Sequence, residues 1–460
     1  MWGEGVLQKV TTKGTLLKCK LKCDHHESEW TSQRPKVDQE GPLFNGNIDL
    51  AAGILLSGIS LSGFQRAMSI TNVQVMSEQC FYQIQKKYLF PAVNSVYEKR
   101  RNEIVERVKS VKELNLVGDG RFDSPGHSAK YGTYTFMNED SKEIIDFFIA
   151  HKSNAGSSTK MELYSFIKVL NSLLEAGFDI NTITTDRHKS IRKYLREKHP
   201  EIAHQFDVWH FSKKIKKMLA AKGKLKRNKD LLLWTKSIIN HLWWSSATCE
   251  TNPILLKEKW LSIINHVANV HKWKSNKLYH ACNHRTLTKK DERSKKWLPK
   301  RSHAYKALKD IVTDKNILKD LPHLSLFRHS GELEVFHSLY NMYCPKRIGY
   351  SYAGMYARTQ LAVMDHNCGI ARQQAKTKAG KLRYNTVFSK VTASWVAKRI
   401  MEEKNKTFIT EILEKLRSPD NLKGVTVNLE NIPKNIATEP NPGKEKLIAE
   451  HRSRFMKQKQ

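Results

Sequence analysis

The sequence predicts an α/β fold that is interrupted by an all-α insertion and preceded by a helical region. From Leu114 to Val208, segments typical of strands and helices follow in the order strand, strand, strand, helix, strand, helix, strand, which indicates a sheet covered by helices. Residues 213–326 then have a Trp-rich helical pattern. Residues 46–110 have a helical pattern of their own.

The strand predictions depend on short runs of apolar and β-branched residues. Leu114–Val117 is apolar and ends in a Gly-Asp-Gly sequence, while 130–137 and 143–149 are rich in residues that favour strands. Ile180–Thr185 is β-branched and is followed by an Asp, and a short strand is expected at 206–208. We therefore expect these five strands to form one sheet.

The first helix after these strands has sequence signals at both ends. Thr159-Lys-Met-Glu162 fits a capping box, and an apolar stripe with helical spacing follows it. Gly177 is a typical C-terminal stop. A second helix is expected over 190–198, so helices alternate with the last strands.

Composition and pattern divide the chain into six predicted segments. They are a polar, irregular N-terminal segment (1–45), a helical region that would bind DNA or dimerise (46–110), the first part of the core (111–212), the helical insertion (213–326), the second part of the core, interpreted as helices (327–415), and a flexible tail (416–460). In the helical region, Ser60 or Ser62 would start a helix and Pro91 would interrupt a later one.

The charge of the chain indicates a polyanionic partner. Its 460 residues include 79 Lys and Arg against 45 Asp and Glu, which gives a formal net charge of +34. The basic residues are spread from end to end, which favours nucleic acid over a membrane surface; a generally basic soluble protein is the alternative. No apolar run reaches the roughly 18 residues of a membrane span. Seven Cys in a chain of this length favour a reducing compartment.

Acidic residues at strand ends suggest a metal site. Asp119 and Asp186 each follow a predicted strand, and if the strands are parallel neighbours their carboxylates lie side by side. Two such charges need a cation, and Mg²⁺ prefers oxygen ligands. On a helix, Glu334 shares a face with His337, so we prefer Glu334 as a third acid and keep Glu332 in reserve. A turn residue, a helix cap and a solvated helix face are the respective structural alternatives.

Several motifs around these acids resemble those of a known family. The motifs are Gly118-Asp-Gly-Arg-Phe-Asp-Ser-Pro-Gly-His-Ser-Ala-Lys-Tyr131, Thr185-Asp-Arg-His188 with Asp207-Val-Trp-His210, and Gly331-Glu-Leu-Glu-Val-Phe-His-Ser338 with Tyr343-Cys-Pro-Lys-Arg347. In order and type they resemble the blocks of DDE transposases with an RNase H-like core, and those of the Kolobok-like group in particular. The resemblance extends over roughly residues 40–400 of the chain.

The resemblance implies both a fold and a function. It implies an RNase H-like core with a mixed sheet, an insertion domain before the third acid, and Asp119, Asp186 and Glu334 as catalytic acids that bind Mg²⁺ or Mn²⁺. Asp123 is a rival for the first acid. The implied activity is cleavage and strand transfer at transposon ends in double-stranded DNA by a homo-oligomer. A catalytically inactive DNA-binding protein derived from a transposase is the alternative, and a structure-selective nuclease is a further one.

One stretch of the insertion is densely basic. Its basic residues are Lys213, Lys214, Lys216, Lys217, Lys222, Lys224, Lys226, Arg227 and Lys229. Such residues contact DNA phosphates independently of sequence, form a solvated helix face, or act as a nuclear import signal. We expect DNA binding here and a nuclear protein.

Two groups of His and Cys have ligand types that suit zinc. The groups are His266, His271, Cys282 and His284, and, near the N-terminus, Cys19, Cys23, His25 and His26. Four N and S ligands make a tetrahedral zinc site, but the first two His are one residue too far apart to share a face of a regular helix. Ordinary packed or exposed side chains are the alternative for both groups.

Three further His accompany the acids in sequence. His188 and His210 follow the second acid and would orient water or phosphate near the metal, or would be ordinary polar packing. His337 shares the predicted helix face of Glu334. All three are candidates for a supporting role at the acidic site.

Overall fold

The computed structural model describes residues 6–23, 25–33, 44–124, 128–417, 422, 425, 427 and 442–451. Its strands are β1 (Val6–Lys13), β2 (Leu16–Lys22), β3 (Glu27–Thr31), β4 (Leu114–Phe122), β5 (Tyr131–Asn138), β6 (Ile144–His151), β7 (Ile180–Thr185), β8 (Ala203–Phe206), β9 (Tyr384–Ser389) and β10 (Ser394–Arg399).

Helices precede, separate and follow the strands along the chain. They are α1 (Asn45–Ser57), α2 (Leu61–Ile70), α3 (Glu78–Ile84), α4 (Phe90–Lys109), α5 (Lys152–Ala155), α6 (Met161–Glu175), α7 (Lys189–Lys198), α8 (Val208–Gly223), α9 (Thr235–Ala247), α10 (Pro253–Leu261), α11 (Ile263–His266), α12 (Lys289–Ser294), α13 (His303–Val312), α14 (Lys315–Asp320), α15 (Gly331–Tyr343), α16 (Tyr352–Asn367), α17 (Thr407–Arg417) and α18 (Lys444–Ala449). A π-helical turn precedes α4, and 3₁₀ turns lie at Lys226–Trp234 and Leu321–Leu324.

A mixed five-stranded sheet lies at the centre of the fold, in the order β6-β5-β4-β7-β8. The strands β4, β5 and β6 form an antiparallel meander, whereas β7 and β8 run parallel to β4. The five predicted strands of this sheet are therefore confirmed, although β8 ends at Phe206 and so lies earlier than expected. The pairing of β4 with β7 places Val117 opposite Thr184, so continuing this register brings Asp119 level with Asp186.

The two faces of β4 contact different helices because side chains alternate along a strand. Leu114 and Leu116 are buried with Phe166 of α6 on one face. Val117 is buried on the other face with residues of α4, α15 and α16. The N-terminal helices α1 and α3 share this second core, so they pack as part of the same body as the sheet.

The helices between β8 and α15 have a hydrophobic core of their own. It contains residues from α8 to α14, and Trp260 is fully buried in it, with its indole N–H donating to the Val312 carbonyl at 3.1 Å. Arg187, just after β7, pairs with Asp320 at the end of α14 and so joins this helical block to the sheet. The division of the chain into domains stays a prediction.

Two parts of the chain differ from the predicted secondary structure. The N-terminal segment, predicted to be irregular, forms the antiparallel sheet β1-β2-β3. Residues 327–415, predicted to be helical, contain the hairpin β9–β10, in which Phe388 lies opposite Trp395. Both sheets are largely exposed, so their strands lack the strong apolar alternation of a strand with one buried face. The predicted tail lies mostly outside the described residues.

Two local predictions were also wrong, and two others were confirmed. The strand β4 does not end at Gly-Asp-Gly but continues to Phe122. The expected capping box does not form, because α6 begins after Lys160 without a side-chain cap. Pro91 follows directly on the π-helical turn Gln85–Leu89, which separates α3 from α4, so the helical stretch that begins at Glu78 is interrupted there as expected. Ser60, one of two candidates, caps α2 by accepting from Gly63 N.

Among the described residues, no single helix has the length and apolarity of a membrane span. Taken together, α1 and α2 reach these values by length and composition only, with a bend of 119° between them.

Candidate active site

Asp119 lies in the middle strand of the sheet and points towards α15. Its Oδ2 lies 3.4 Å from Nδ1 of His337, and its side chain is 19% exposed. The glycines on either side of it face the opposite way, towards the α6 side of the sheet. A Cβ at Gly118 would lie 2.6 Å from the Tyr134 hydroxyl, so only glycine permits this close packing next to the acid.

Asp186, directly after the neighbouring parallel strand, contacts a histidine that is shared with another carboxylate. Nδ1 of His210 lies 2.8 Å from Asp186 Oδ1 and 2.9 Å from Asp207 Oδ2. Burial alone would lower the pKa of His210, but hydrogen bonds and charge from Asp186 and Asp207 raise it to about 10. His210 is therefore an imidazolium near neutral pH and balances part of the negative charge.

Glu334 reaches the same histidine from α15. Its Oε1 lies 3.7 Å from His210 Nε2, and its side chain is 42% exposed. Glu332, the reserve for the third acid, is exposed on another side of the helix, where its charge acts on His366. The structure thus brings Glu334, rather than Glu332, into the neighbourhood of Asp186.

Buried contacts hold α15 against the middle strand. Arg121, two residues after Asp119, donates to Asn341 Oδ1 at 2.7 Å and to the Cys344 carbonyl. Its guanidinium also lies 4.2 Å from the centre of the Tyr340 ring. These contacts set the position of α15, and with it the position of its acid.

Asp207 holds the start of α15 in place. It is 1% exposed, accepts from Trp209 N at 2.6 Å as the cap of α8, and also accepts from Ser330, the residue before α15. Burial would raise the pKa of Asp207, but hydrogen bonds from His210 and Ser330 hold it below its ordinary value. Asp207 lies in one of the sequence motifs, but no pattern in the sequence indicated its role.

Glu162 is the acid that sequence analysis missed. It lies in the first turn of α6, and a Cβ at Gly120 would approach its Cγ to 3.0 Å, so glycine leaves it room beside the middle strand. Burial, and then the negative charges of Asp119 and Asp186, raise the pKa of Glu162 to about 7. The one sequence signal at Glu162, the capping box, indicated a structural role.

Each of the two ring nitrogens of His188 lies near another group. Its Nδ1 accepts from Ile191 N at 3.3 Å and caps α7, so His188 rather than Asp186 is the cap of that helix. Its Nε2 lies 3.9 Å from Glu162 Oε2. Burial lowers the pKa of His188, against the opposing effect of the Asp186 charge.

Four carboxylates from separate parts of the chain are therefore linked, three by their charges and the fourth through His210. They are Asp119, Glu162, Asp186 and Glu334. A crowded and partly exposed set of oxygen donors fits a hard divalent cation such as Mg²⁺. The ligand atoms of His210, Asp186 and Asp207 lie within 4.8 Å of one another, but protonated His210 has no lone pair to offer, so the donors for a cation are carboxylate oxygens. The arrangement can bind a cation and can place it against a phosphate group.

One comparison with known proteins gives a transposase family for part of the chain. Residues 7–155 match a family model described as Mutator-like transposase. The match includes Asp119 and ends before Glu162, so it gives no information on the other acids. A comparison with curated proteins finds no match.

Solved structures that match include one from the Drosophila P element transposase strand transfer complex. It is 11% identical, the alignment covers 71% of this chain and 92% of that chain, and the TM-score is 0.31. At this TM-score the likeness carries no inference about the chemistry of the site.

The predicted DNA-contacting residues begin next to the acidic cluster. Helix α8 starts directly after Asp207, and the 3₁₀ turn at Lys226–Trp234 follows it. All nine predicted residues are exposed except Lys214, which is half-buried. In chain order they are Lys213, Lys214, Lys216, Lys217, Lys222, Lys224, Lys226, Arg227 and Lys229. Their role in DNA binding stays a prediction.

The four predicted zinc ligands of the insertion meet in space. His266, His271, Cys282 and His284 offer one ligand atom each, and these atoms all lie within 4.8 Å of one another. The first three side chains are half-buried and His284 is exposed. Sequence spacing alone argued against a shared site, whereas the fold of the loop brings the four together.

The N-terminal group of His and Cys is different. Cys23 Sγ lies 3.9 Å from His26 Nδ1, and among the described residues no third potential ligand joins them. The structure therefore does not assemble the second candidate zinc site.

Asp123, the rival first acid, has a structural role. It accepts from the backbone N–H groups of Lys130 and Tyr131 and so closes the connection between β4 and β5. Its carboxylate is thus used by the backbone rather than directed at the acidic cluster.

Proposed function

We propose that the chain is a transposase-like enzyme that cleaves and joins DNA strands with the help of divalent cations. The observation that carries this proposal is that Asp119 and Asp186, far apart in sequence, come level at neighbouring parallel strands, while Glu334 reaches Asp186 through His210. His210 contacts two of these acids, and His337 contacts the third. The match of the N-terminal part of the chain to a transposase family supports the same class. The strand order and directions of the sheet support an RNase H-like core, and the sequence motifs favour a Kolobok-like type.

Asp119, Asp186 and Glu334 would hold Mg²⁺ or Mn²⁺, with Glu162 beside them. When bound, the ions would stabilise the charge on the attacking and leaving oxygens of a phosphodiester. The two histidines would orient the carboxylates that they contact.

DNA would approach along the exposed basic residues of α8. The helix starts at the acidic cluster, so phosphates bound along it would lead a strand to the acids. We further propose, from the basic stretch, that the protein acts in the nucleus, and, from the resemblance to transposases, that it acts on transposon ends as a homo-oligomer.

The test compares two glutamates of the same helix turn. Purified full-length chain is assayed for nicking of supercoiled plasmid with Mg²⁺ or Mn²⁺, and Mn²⁺ binding is measured by calorimetry. Glu334→Gln should lower metal-dependent nicking by more than roughly 100-fold, because a metal contributes several kcal/mol to the transition state. The matched control Glu332→Gln should nick at the wild-type rate, because Glu332 lies on another side of the helix.

Each result decides between the proposed functions. Nicking and Mn²⁺ affinity that are equal in both variants would contradict the assignment of Glu334. DNA binding that persists in EDTA, without nicking under either metal, would favour the alternative of an inactive DNA-binding protein.

A further inference from the structure

The chain around the four clustered His and Cys residues is folded so that both ends of a loop come together. Helix α11 ends at His266, and Asn269 then takes a left-handed conformation with φ 58°. The chain runs back beside itself, with Cys282 N donating to the His271 carbonyl at 3.0 Å. The spacing between His266 and His271 is therefore not that of one helix, and the helical objection to a shared site does not apply.

The distances between ligand atoms fit a tetrahedral ion. Bonds of about 2.0–2.1 Å to nitrogen and about 2.3 Å to sulfur give tetrahedral edges of about 3.3 Å between two nitrogens and about 3.5 Å between nitrogen and sulfur. His271 Nδ1 lies 3.1 Å from His284 Nε2. Cys282 Sγ lies 3.5 Å from His266 Nδ1. Both pairs have the separation that a shared zinc ion requires.

Hydrogen-bond acceptors behind the rings select the tautomers that bind a metal. His271 Nε2 lies 2.9 Å from Asn269 Oδ1, and His284 Nδ1 lies 2.7 Å from the Arg285 carbonyl. Each acceptor requires an N–H, so in neutral imidazoles the opposite nitrogens carry lone pairs, and these two lone pairs face each other. Two facing lone pairs repel unless a cation lies between them, and such outer partners are typical of metal-bound His.

The surroundings suit a site that is structural. The ring of Trp297 lies 5.9 Å from that of His266 and 5.7 Å from that of His271, and that of Trp234 lies 5.8 Å from that of His266. Between His266 and Lys289 the chain has no helix or strand, so a cross-link would order a long irregular segment.

We propose that His266, His271, Cys282 and His284 bind one Zn²⁺ that fixes this part of the insertion. Three nitrogens and one thiolate match zinc and exclude Mg²⁺, which requires oxygen ligands. All four positions are filled by protein, so the ion has no open position for water or substrate and stabilises the fold instead. The proposal does not depend on the acidic cluster or on any DNA chemistry.

The test measures zinc in full-length chain that is purified without metal affinity steps. Plasma mass spectrometry should find about one zinc per chain, as expected for one closed four-ligand site. His271→Gln and Cys282→Ser should each lose most of it. The matched controls His280→Gln and Cys368→Ser, which change the same residue types outside the cluster, should retain it. Asp186→Asn should retain it too, which separates this site from the acidic one.

A second measurement on the unchanged chain does not depend on how well the variants fold. Co²⁺ that replaces the zinc should give the strong visible bands of tetrahedral coordination and a sulfur-to-cobalt charge-transfer band. Wild-type chain without zinc and without these Co²⁺ bands would overturn the proposal. So would zinc that is lost in Asp186→Asn but kept in His271→Gln and Cys282→Ser.

Discussion

The role of Glu162 determines whether three or four carboxylates of the acidic cluster bind the cation. If Glu162 binds the cation, Glu162→Gln should weaken Mn²⁺ binding and slow nicking by roughly 10- to 100-fold, the usual cost of disturbing a metal site. The amide has nearly the same shape, so packing against Gly120 is kept. Calorimetry and plasmid nicking measure the two effects, and Glu175→Gln, at the exposed far end of the same helix, is the control.

Because of the protonation state of Glu162, an unchanged Glu162→Gln variant would also be informative. Because the pKa of Glu162 is raised to about 7, the carboxyl is partly protonated near neutral pH when no cation is present. If Glu162 stays protonated in the working enzyme, glutamine replaces it without effect. Equal binding and nicking in Glu162→Gln and wild type would therefore place Glu162 outside the metal site.

The positions of the acids could be predicted only where local geometry sets them. The alignment of Asp119 with Asp186 follows from the pairing of two parallel strands. The choice of Glu334 over Glu332 follows from the face of one helix. The sequence pattern was enough to predict both. The position of Glu162 in α6 depends on the room that Gly120 leaves in β4. The position of Asp207 depends on its hydrogen bond from Ser330, which is far away in sequence. Contacts between residues so far apart produce no periodic pattern in the sequence.

At the scale of elements, Asp365 joins three parts of the chain. Only 1% exposed near the end of α16, it accepts from Tyr343 of α15 at 2.7 Å, from Lys404 at 2.6 Å and from Lys406 at 2.9 Å. Burial alone would raise the pKa of Asp365, but these hydrogen bonds hold it below its ordinary value. A carboxylate with a lowered pKa stabilises the fold above its unfolded pKa, about 3.9, and less as the pH falls through the folded value.

Asp365→Asn should therefore lower the free energy of unfolding by roughly 2 kcal/mol at neutral pH, as expected for the loss of hydrogen bonds to charged groups. The difference from wild type should shrink below about pH 4, where the carboxylate itself becomes protonated. Urea unfolding at neutral pH and in this acidic range measures it, with the exposed Asp310→Asn as the control. A difference that is independent of pH would contradict the role of the charge.

The secondary structure could be predicted where burial gives a strand or helix a clear pattern. The β-branched run of β7 and the apolar stripe of α6 are both largely buried, and both were recognised. In β10 and β3 nearly every residue is exposed, so their sequences do not alternate between buried apolar and exposed polar residues. The hairpin β9–β10 and the N-terminal sheet are stabilised by strand pairing, which a single strand does not reveal.

For the molecule as a whole, the net charge of +34 raises the question of whether the affinity for DNA depends on total charge or on a particular basic surface. Total charge attracts any polyanion over long distances, whereas phosphate contacts release counterions one by one. The salt dependence of binding separates the two, because its slope counts the contacts.

We expect the exposed basic residues of α8 to supply part of these contacts. Lys216→Gln with Lys217→Gln should reduce the slope of log K against log salt by about 2, since each phosphate contact contributes about 0.9. Lys18→Gln with Lys20→Gln removes the same charge from the N-terminal sheet, where these lysines already pair with glutamates of β3. Fluorescence anisotropy with labelled duplex DNA over a salt series measures both slopes. The control pair should change the slope by much less; equal changes would mean that DNA responds to the charge of the whole molecule and that α8 has no special role.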